Sequence, residues 1–234
     1  EHLLGKNKYT NIIKDDKHLS VILNMLDGDY GKILDIGTGT GYLAFPLSEK
    51  FPQATVVGID IVEKIMLQNT KVVEEKGISN LLFQAFDGLN YPFPQKSFDL
   101  IVTRYAFHHF PNVVHSIQQM KELLAEGGKV FISDPVRNPK DKDGIIDEFM
   151  RIKKDGHIQF YALDDLEELF VKNGFVKEKQ VITNMKFPFV AKQEYIEMYD
   201  RAADRDRALY DMKNESGVIW VQHIDVGNTV FTKK

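Results

Sequence analysis

Cysteine is missing from this chain altogether. Its absence excludes disulfides, thiolate metal sites, thiol nucleophiles and iron–sulfur clusters, so covalent catalysis would fall to another residue type. Long apolar runs are missing too. Nothing approaches the ~18 residues that a membrane span needs, and the opening from Glu1 to Lys17 is too charged for a secretory signal, so a cytoplasmic protein is expected. The chain begins at Glu1 rather than at a methionine, and native residues ahead of it are allowed for. Basic residues are in slight deficit, 30 Lys and Arg against 34 Asp and Glu for a net charge of -4, and they are scattered. A nucleic-acid binder would gather them into one positive footprint, so no nucleic-acid partner is expected. What remains is ordinary for a globular protein. With 234 residues, 43% hydrophobic and 27% charged, the chain can bury a substantial core, and disordered, collagen-like and fibrous readings drop out.

The first two thirds alternate short β-branched runs with longer amphipathic stretches, the pattern of a parallel sheet wrapped by helices. Strands are predicted at Lys32–Ile36, Thr55–Ile59, Leu81–Ala85, Phe98–Thr103 and Lys129–Ser133. Between them fall helices at Tyr42–Lys50, Glu63–Lys76 (ended by Gly77) and Val113–Leu124 (closed by Gly127 and Gly128). Helices at Ile145–Lys153 and Asp164–Asn173 then lead into a strand at Phe175–Thr183. The alternation stops near Lys186, and the aromatic and charged stretch that follows reads as a helical insert before a last strand at Val226–Thr232. No internal repeat or long linker is visible. One domain over 1–234 is the simplest organisation: an N-terminal cap helix region at 1–30, a core at 31–185, the insert at 186–224 and the last strand at 225–234.

The most informative stretch is Ile33-Leu34-Asp35-Ile36-Gly37-Thr38-Gly39-Thr40-Gly41, a strand running into three alternate glycines and then a helix. Glycines there let the backbone turn sharply and let a ligand lie against the main chain. A dinucleotide loop spaces its glycines G-x-G-x-x-G and sets a pyrophosphate on the helix N-terminus. This loop is G-x-G-x-G, and Asp35 just before it would repel a pyrophosphate but accept hydrogen bonds from a cationic amine. A ligand bearing an ammonium group is favoured. Asp60, at the end of the second strand, can accept from both hydroxyls of a ribose or cap the following helix. Asp87, after the third strand, can accept from an adenine amine, with Phe86 or Ile61 packing on the ring, or form an Asx-turn into Gly88.

These residues resemble the class I S-adenosylmethionine-dependent methyltransferases, and among them the small-molecule group that includes the quinone-biosynthesis C-methyltransferases. Four features carry the resemblance: Leu34 to Gly41; Gly58-Ile59-Asp60; Asp87 with Pro92-Phe93-Pro94 and Ser97-Phe98-Asp99; and Tyr105-Ala106-Phe107-His108-His109-Phe110. With Leu123-Leu124 and Gly127-Gly128 they span residues 33 to 134. The resemblance implies an α/β fold, a doubly wound Rossmann-like sheet of seven mostly parallel strands with helices on both faces and a helical cap. It implies S-adenosylmethionine as cofactor and S-adenosylhomocysteine as product. Gly37, Thr38, Gly39 and Gly41 would cradle the methionine part, Asp35 would help hold its amino group, Asp60 would take the ribose, and Asp87 with Gly88 the adenine, on whose ring Phe86 or Ile61 could pack. Arg104 and Tyr105, at the end of the fourth strand, would border the sulfonium, and the family's sheet order would bring strands one and four side by side.

Methyl transfer from a sulfonium is an in-line displacement with a neutral leaving group, so holding the acceptor and excluding water is the main task, and no metal is required. Where the acceptor carries a phenol, an enol or an activated ring carbon, His108 or His109 is the nearest candidate base. Adjacent residues point apart, so one of the two is expected in the pocket; His109 is the choice for catalysis, while His108, Tyr105 and Arg137 are assigned to the acceptor. The alternative for both histidines is capping or packing at the start of the next helix. Asp134-Pro135 reads as a turn fixed by proline. The acceptor pocket is expected to be roofed by the segment around Tyr9 and by the insert. A small-molecule acceptor is the class left, since the boxes associated with nucleic-acid and arginine methylation are absent. The competing readings are a cofactor-binding sensor without turnover and a nicotinamide-dependent oxidoreductase, and the oligomeric state is left open between monomer and homodimer.

Overall fold

A computed structural model describes residues 16–189 and 192–234. Tyr9, expected to help roof the pocket, lies outside the described residues. Helix α1 (Asp16–Met25) leads into β1 (Lys32–Ile36), α2 (Ala44–Lys50), β2 (Thr55–Asp60), α3 (Glu63–Lys76), β3 (Leu81–Ala85) and β4 (Phe98–Arg104). A short 3-10 turn (Phe107–His109) and α4 (Val113–Leu123) follow, then β5 (Leu124–Pro135), α5 (Ile145–Arg151), α6 (Leu163–Lys172) and β6 (Phe175–Phe189). The chain closes with α7 (Gln193–Arg201), α8 (Asp204–Leu209), β7 (Met212–Glu215) and β8 (Val218–Lys233).

The strands form one sheet in the order β3-β2-β1-β4-β5-β8-β6, with β7 paired to β8 off that path. The first five are mutually parallel and β8 is antiparallel to both neighbours, so the fold is the expected mostly parallel, doubly wound one. Both faces of the central strands are covered, which is why β1 and β4 read as continuous apolar runs. On one face Ile22 of α1 and Leu47 of α2, with the flanking Leu26 and Leu43, pack on Ile33, Val56 and Leu100. On the other, Ile117, Met120 and Phe170 of α4 and α6 pack on Leu34, Ile101 and Phe231. The chain reverses direction across the sheet between β1 and β4, and a crevice opens at that switch point beyond their carboxyl ends.

Beyond residue 185 the structure differs from the helical insert read from the sequence. β6 runs on to Phe189 and β8 begins at Val218, pairing Phe187 with Val221 and Phe189 with Ile219, while α7, α8 and β7 are carried on this extended ladder. The cap is therefore two helices on a strand framework, and the last strand starts eight residues before Val226. Ile219 and Val221 are buried at a spacing of two, the period of a strand, and Phe189, opposite Ile219, is buried with them. The cap has its own core, in which Ile146, Phe149 and Phe160 meet Phe189, Tyr195 and Tyr210. Asp141 ties it down: its carboxylate accepts from Ile145 N (2.9 Å) and Ile146 N (3.2 Å) at the start of α5 and from Tyr210 Oη (2.8 Å).

Candidate functional site

The glycine loop is held in place before any ligand arrives. Gly37 N and Thr38 N donate to Ile59 O at 2.9 and 3.0 Å, which fastens the end of β1 to β2. Gly39 N donates to Asp60 Oδ2 (2.9 Å), and Asn69 Nδ2 from α3 donates to Gly39 O (2.8 Å). Gly37 has φ +69°, and a Cβ there would stand 2.4 Å from Ala106 Cβ; a Cβ at Gly39 (φ +52°) would meet nothing within 4 Å. One glycine is thus needed for close packing, and the other faces open space. Gly37→Ala is expected to destabilise the fold by about 2 kcal/mol, through the positive φ and the collision together, as read from a urea unfolding curve.

Asp35 is 2% exposed and accepts from Thr38 Oγ1 at 2.6 Å. Burial pushes its carboxyl up to about 7, against the hydrogen bond from Thr38 and the charge of Arg104, which act downward. Asp60 serves both as a turn and as a clamp, since Oδ1 accepts from Val62 N (3.0 Å) while Oδ2 holds Gly39. Asp87 adopts the Asx-turn, accepting from Leu89 N (2.8 Å), Asn90 N (2.7 Å) and Asn90 Nδ2 (3.1 Å), and these bonds hold its carboxyl below the usual range. Gly88 lies against Ile61, which is 66% exposed, whereas Phe86 packs on Tyr91 with ring centroids 5.6 Å apart. The Arg104 guanidinium is sandwiched 3.8 Å from the ring centroids of Tyr42 and Tyr105, and its buried Nε has no hydrogen-bond partner among the described residues.

Next to these strand ends is a cavity of about 310 Å³, lined by Tyr105, His108, His109, Pro135, Phe160 and the cap residues Phe187 and Tyr195 among others. Both histidines line it, so the expectation that only one would enter is corrected: the 3-10 turn brings their ring centroids within 4.1 Å, tilted by 48°. Neither caps α4, because Asn112 Oδ1 accepts from His115 N there (3.1 Å). His108 is buried and its Nδ1 lies 2.9 and 3.0 Å from the oxygens of Asp134, which is also buried. Asp134 is accordingly a histidine partner within β5 and not a turn residue. His109 is half-buried, and burial together with the neighbouring His108 depresses its basicity. Arg137 does not face this cavity; it pairs with Asp165 on α6 at 3.4 Å.

Several residues that sequence reasoning passed over stand behind the lining side chains and hold them. His157 Nε2 donates to Asp147 Oδ1 (2.8 Å), which also accepts from Phe160 N (2.7 Å). Tyr105 takes a left-handed backbone (φ +53°) and its hydroxyl lies 3.3 Å from His18 Nδ1. His18 Nε2 in turn meets Asn228 Oδ1 at 3.1 Å, and Ser133 Oγ donates to the same oxygen at 2.8 Å. The usable signal for Asp134 was its place at the end of the strand beside β4; His18, Asn228, Asp147 and His157 carried none. Among the described residues no group of three or more His, Asp or Glu is placed to hold a metal, and no helix is long and apolar enough to cross a membrane.

A family model described as a methyltransferase domain matches residues 14–180. A methyltransferase of Bacillus subtilis, YcgJ, named as uncharacterized, is 25% identical over 189 residues, covering 79% of this chain and 72% of its own. The crystal structure of YcgJ superposes with a TM-score of 0.81 at 22% identity, over 94% of this chain and 98% of that one. A demethylmenaquinone methyltransferase of Thermus thermophilus is 31% identical over 115 residues, 49% of this chain and 52% of that protein. Phosphoethanolamine N-methyltransferase 2 of Haemonchus contortus, solved with S-adenosyl-L-methionine, has a TM-score of 0.65 at 17% identity, over 93% of this chain and 52% of that one.

Proposed function

This chain belongs to the methyltransferase-domain family, and from that premise we propose that it transfers a methyl group from S-adenosylmethionine to a small-molecule acceptor by in-line displacement, as a single domain. The observation that carries the cofactor is Asp35: a buried carboxylate beneath a preformed glycine loop, with open space in front of Gly39. A buried carboxylate whose ionisation is suppressed by burial is the partner a ligand ammonium needs. The stacked Arg104, whose buried Nε is unpartnered among the described residues, also fits a polar ligand at this crevice.

In this reading Gly37, Thr38, Gly39 and Gly41 cradle the methionine part and Asp35 holds its amino group. Asp60 accepts from the ribose while keeping its grip on Gly39, Ile61 and Gly88 flank the base, and Asp87 shapes the loop beside it with Phe86 behind. When bound, the cofactor supplies a methyl group made electrophilic by a positively charged sulfur. The chain's own task is then positional: Tyr105 and Arg104 border the reacting end, and the cap closes the cavity against water. The acceptor sits in the 310 Å³ cavity, a volume suited to a small organic molecule.

Calorimetric titration with S-adenosylhomocysteine, S-adenosylmethionine and NAD tests the cofactor. Binding of the two sulfur ligands alone is expected, weakened about tenfold or more in Asp60→Ala, which loses a charged hydrogen-bond acceptor and loosens the loop. Binding of NAD alone would overturn the reading.

A further inference from the structure

Besides the histidines, the charged side chains that line the acceptor cavity are Lys153, Asp155 and Lys192. Two of them cancel, since Lys153 Nζ lies 2.7 Å from Asp155 Oδ2. Asp134 is engaged by His108, and Asp147 by His157 and the Phe160 amide, so the described carboxylates around the cavity are all committed. An amine would arrive as a cation and find none of them free. Lys192 is left over. It lines the cavity from the cap, and among the described residues its ammonium has no hydrogen-bond or ion-pair partner. Glu194, two residues on, does not line the cavity. The place of Lys192 is fixed where α7 begins, because Tyr195 N and Ile196 N donate to its carbonyl at 3.1 and 3.4 Å, and Tyr195 is buried beside Phe149 and Phe189. The other walls are largely apolar, with Phe160, Phe187, Phe189, Met150 and Met185. Such walls weaken the screening of a charge set beside them.

We propose that the methyl acceptor is an organic anion with an apolar body and one carboxylate, and that Lys192 selects it by meeting that carboxylate from the cap. The proposal rests on the methyltransferase reading above and names the acceptor class of the same cavity. One uncompensated ammonium matches one negative charge, which sets a carboxylate ahead of a phosphate dianion. The apolar body lies against the aromatic and methionine walls, surfaces that adapt to its shape. The end to be methylated points away from Lys192, toward Tyr105 and the carboxyl end of β4. Lys192 is itself exposed, so water screens part of the pair, and its effect is to discriminate among acceptors of like shape more than to supply the bulk of affinity. It is a specificity-determining residue and takes no part in the transfer.

The test is calorimetric titration of the intact chain, saturated with S-adenosylhomocysteine, with three probes of like shape: 2-naphthylacetate, the neutral 2-naphthylacetamide and the cation 2-(2-naphthyl)ethylamine. The acid is expected to bind about fivefold tighter than the amide, the amine more weakly than either, and the preference for the acid to shrink at high salt. Lys192→Gln should bring the acid level with the amide, and Lys192→Glu should turn the preference toward the amine. Lys153→Gln combined with Asp155→Asn removes a balanced pair and should leave the preference for the acid in place. Equal affinity for acid and amide in the intact chain, a preference that survives Lys192→Gln or is lost in the double variant, or no binding of any probe while S-adenosylhomocysteine binds would overturn the proposal. Failure to bind S-adenosylhomocysteine at all would instead bring down the cofactor reading beneath it.

Discussion

Affinity for S-adenosylhomocysteine is expected to climb about tenfold per pH unit from roughly pH 5 and to level off near neutrality. The cause is Asp35, whose carboxyl burial lifts from 3.8 to about 7 in the ligand-free chain. A ligand ammonium binds the ionised form, so below that value the carboxyl must first give up its proton. Calorimetry at about pH 6 in buffers of different ionisation heat should therefore report close to one proton released on binding. The sign for stability runs the other way. A raised carboxyl contributes stability that is complete below 3.8 and is lost as the pH rises through about 7, because the unfolded chain has by then ionised freely. The ligand-free chain thus weakens over that window and the cofactor restores it. Asp35→Asn should remove both slopes. A pH-independent affinity in the unaltered chain would mean that Asp35 does not meet the ammonium.

How much of this was legible depends on what each residue's partner was. β1, β2, β4 and β5 could be read because they are β-branched runs bounded by glycine, proline and charge, β3 because Leu81, Leu82 and Phe83 follow a helix ended by Gly77, and the crevice followed from the glycine loop that ends β1. The extension of β6 was hidden by its own composition. Lys186, Phe187, Pro188 and Phe189 alternate, but among neighbouring tyrosines and charges the period of two was too short to outweigh a helical count. Gly127 and Gly128 were read as closing a helix, whereas they lie in β5, which begins at Leu124 directly after α4. Both His108 and Asp134 stood in the sequence, yet their pairing depends on β4 and β5 being neighbours, which only the sheet order decides. Arg137 went astray for a related reason: Val136 N, beside it, bonds to Asp225 O of β8, and the guanidinium turns to Asp165 on α6. The loop signals were local and the acceptor wall is tertiary, so one was readable and the other was not.

The scaffold behind the acceptor cavity is also where the largest loss of stability is expected. Asp147 is 5% exposed and accepts from two buried donors, His157 Nε2 and Phe160 N. Asp147→Ala would leave both donors without a partner inside the cap core, where Phe160 stacks edge-on against His108 (4.9 Å) and His157 (4.6 Å). Breaking a buried pair by removing one member costs about 3–5 kcal/mol, mostly because the survivor stays buried and unmet. For a chain of this size that lowers the Tm by roughly 10 °C. Asp147→Asn keeps the acceptor oxygen that both donors share and should lose less than half as much. The glycine loop and Asp35 lie at the ends of β1 and β2, away from this core, so at temperatures where Asp147→Ala remains folded it should bind S-adenosylhomocysteine with little change while methyl transfer falls. Thermal unfolding beside a titration separates the two effects. An Asp147→Ala chain as stable as the parent within about 1 kcal/mol would show that His157 and the Phe160 amide find other partners, and that the wall behind His108 does not depend on this carboxylate.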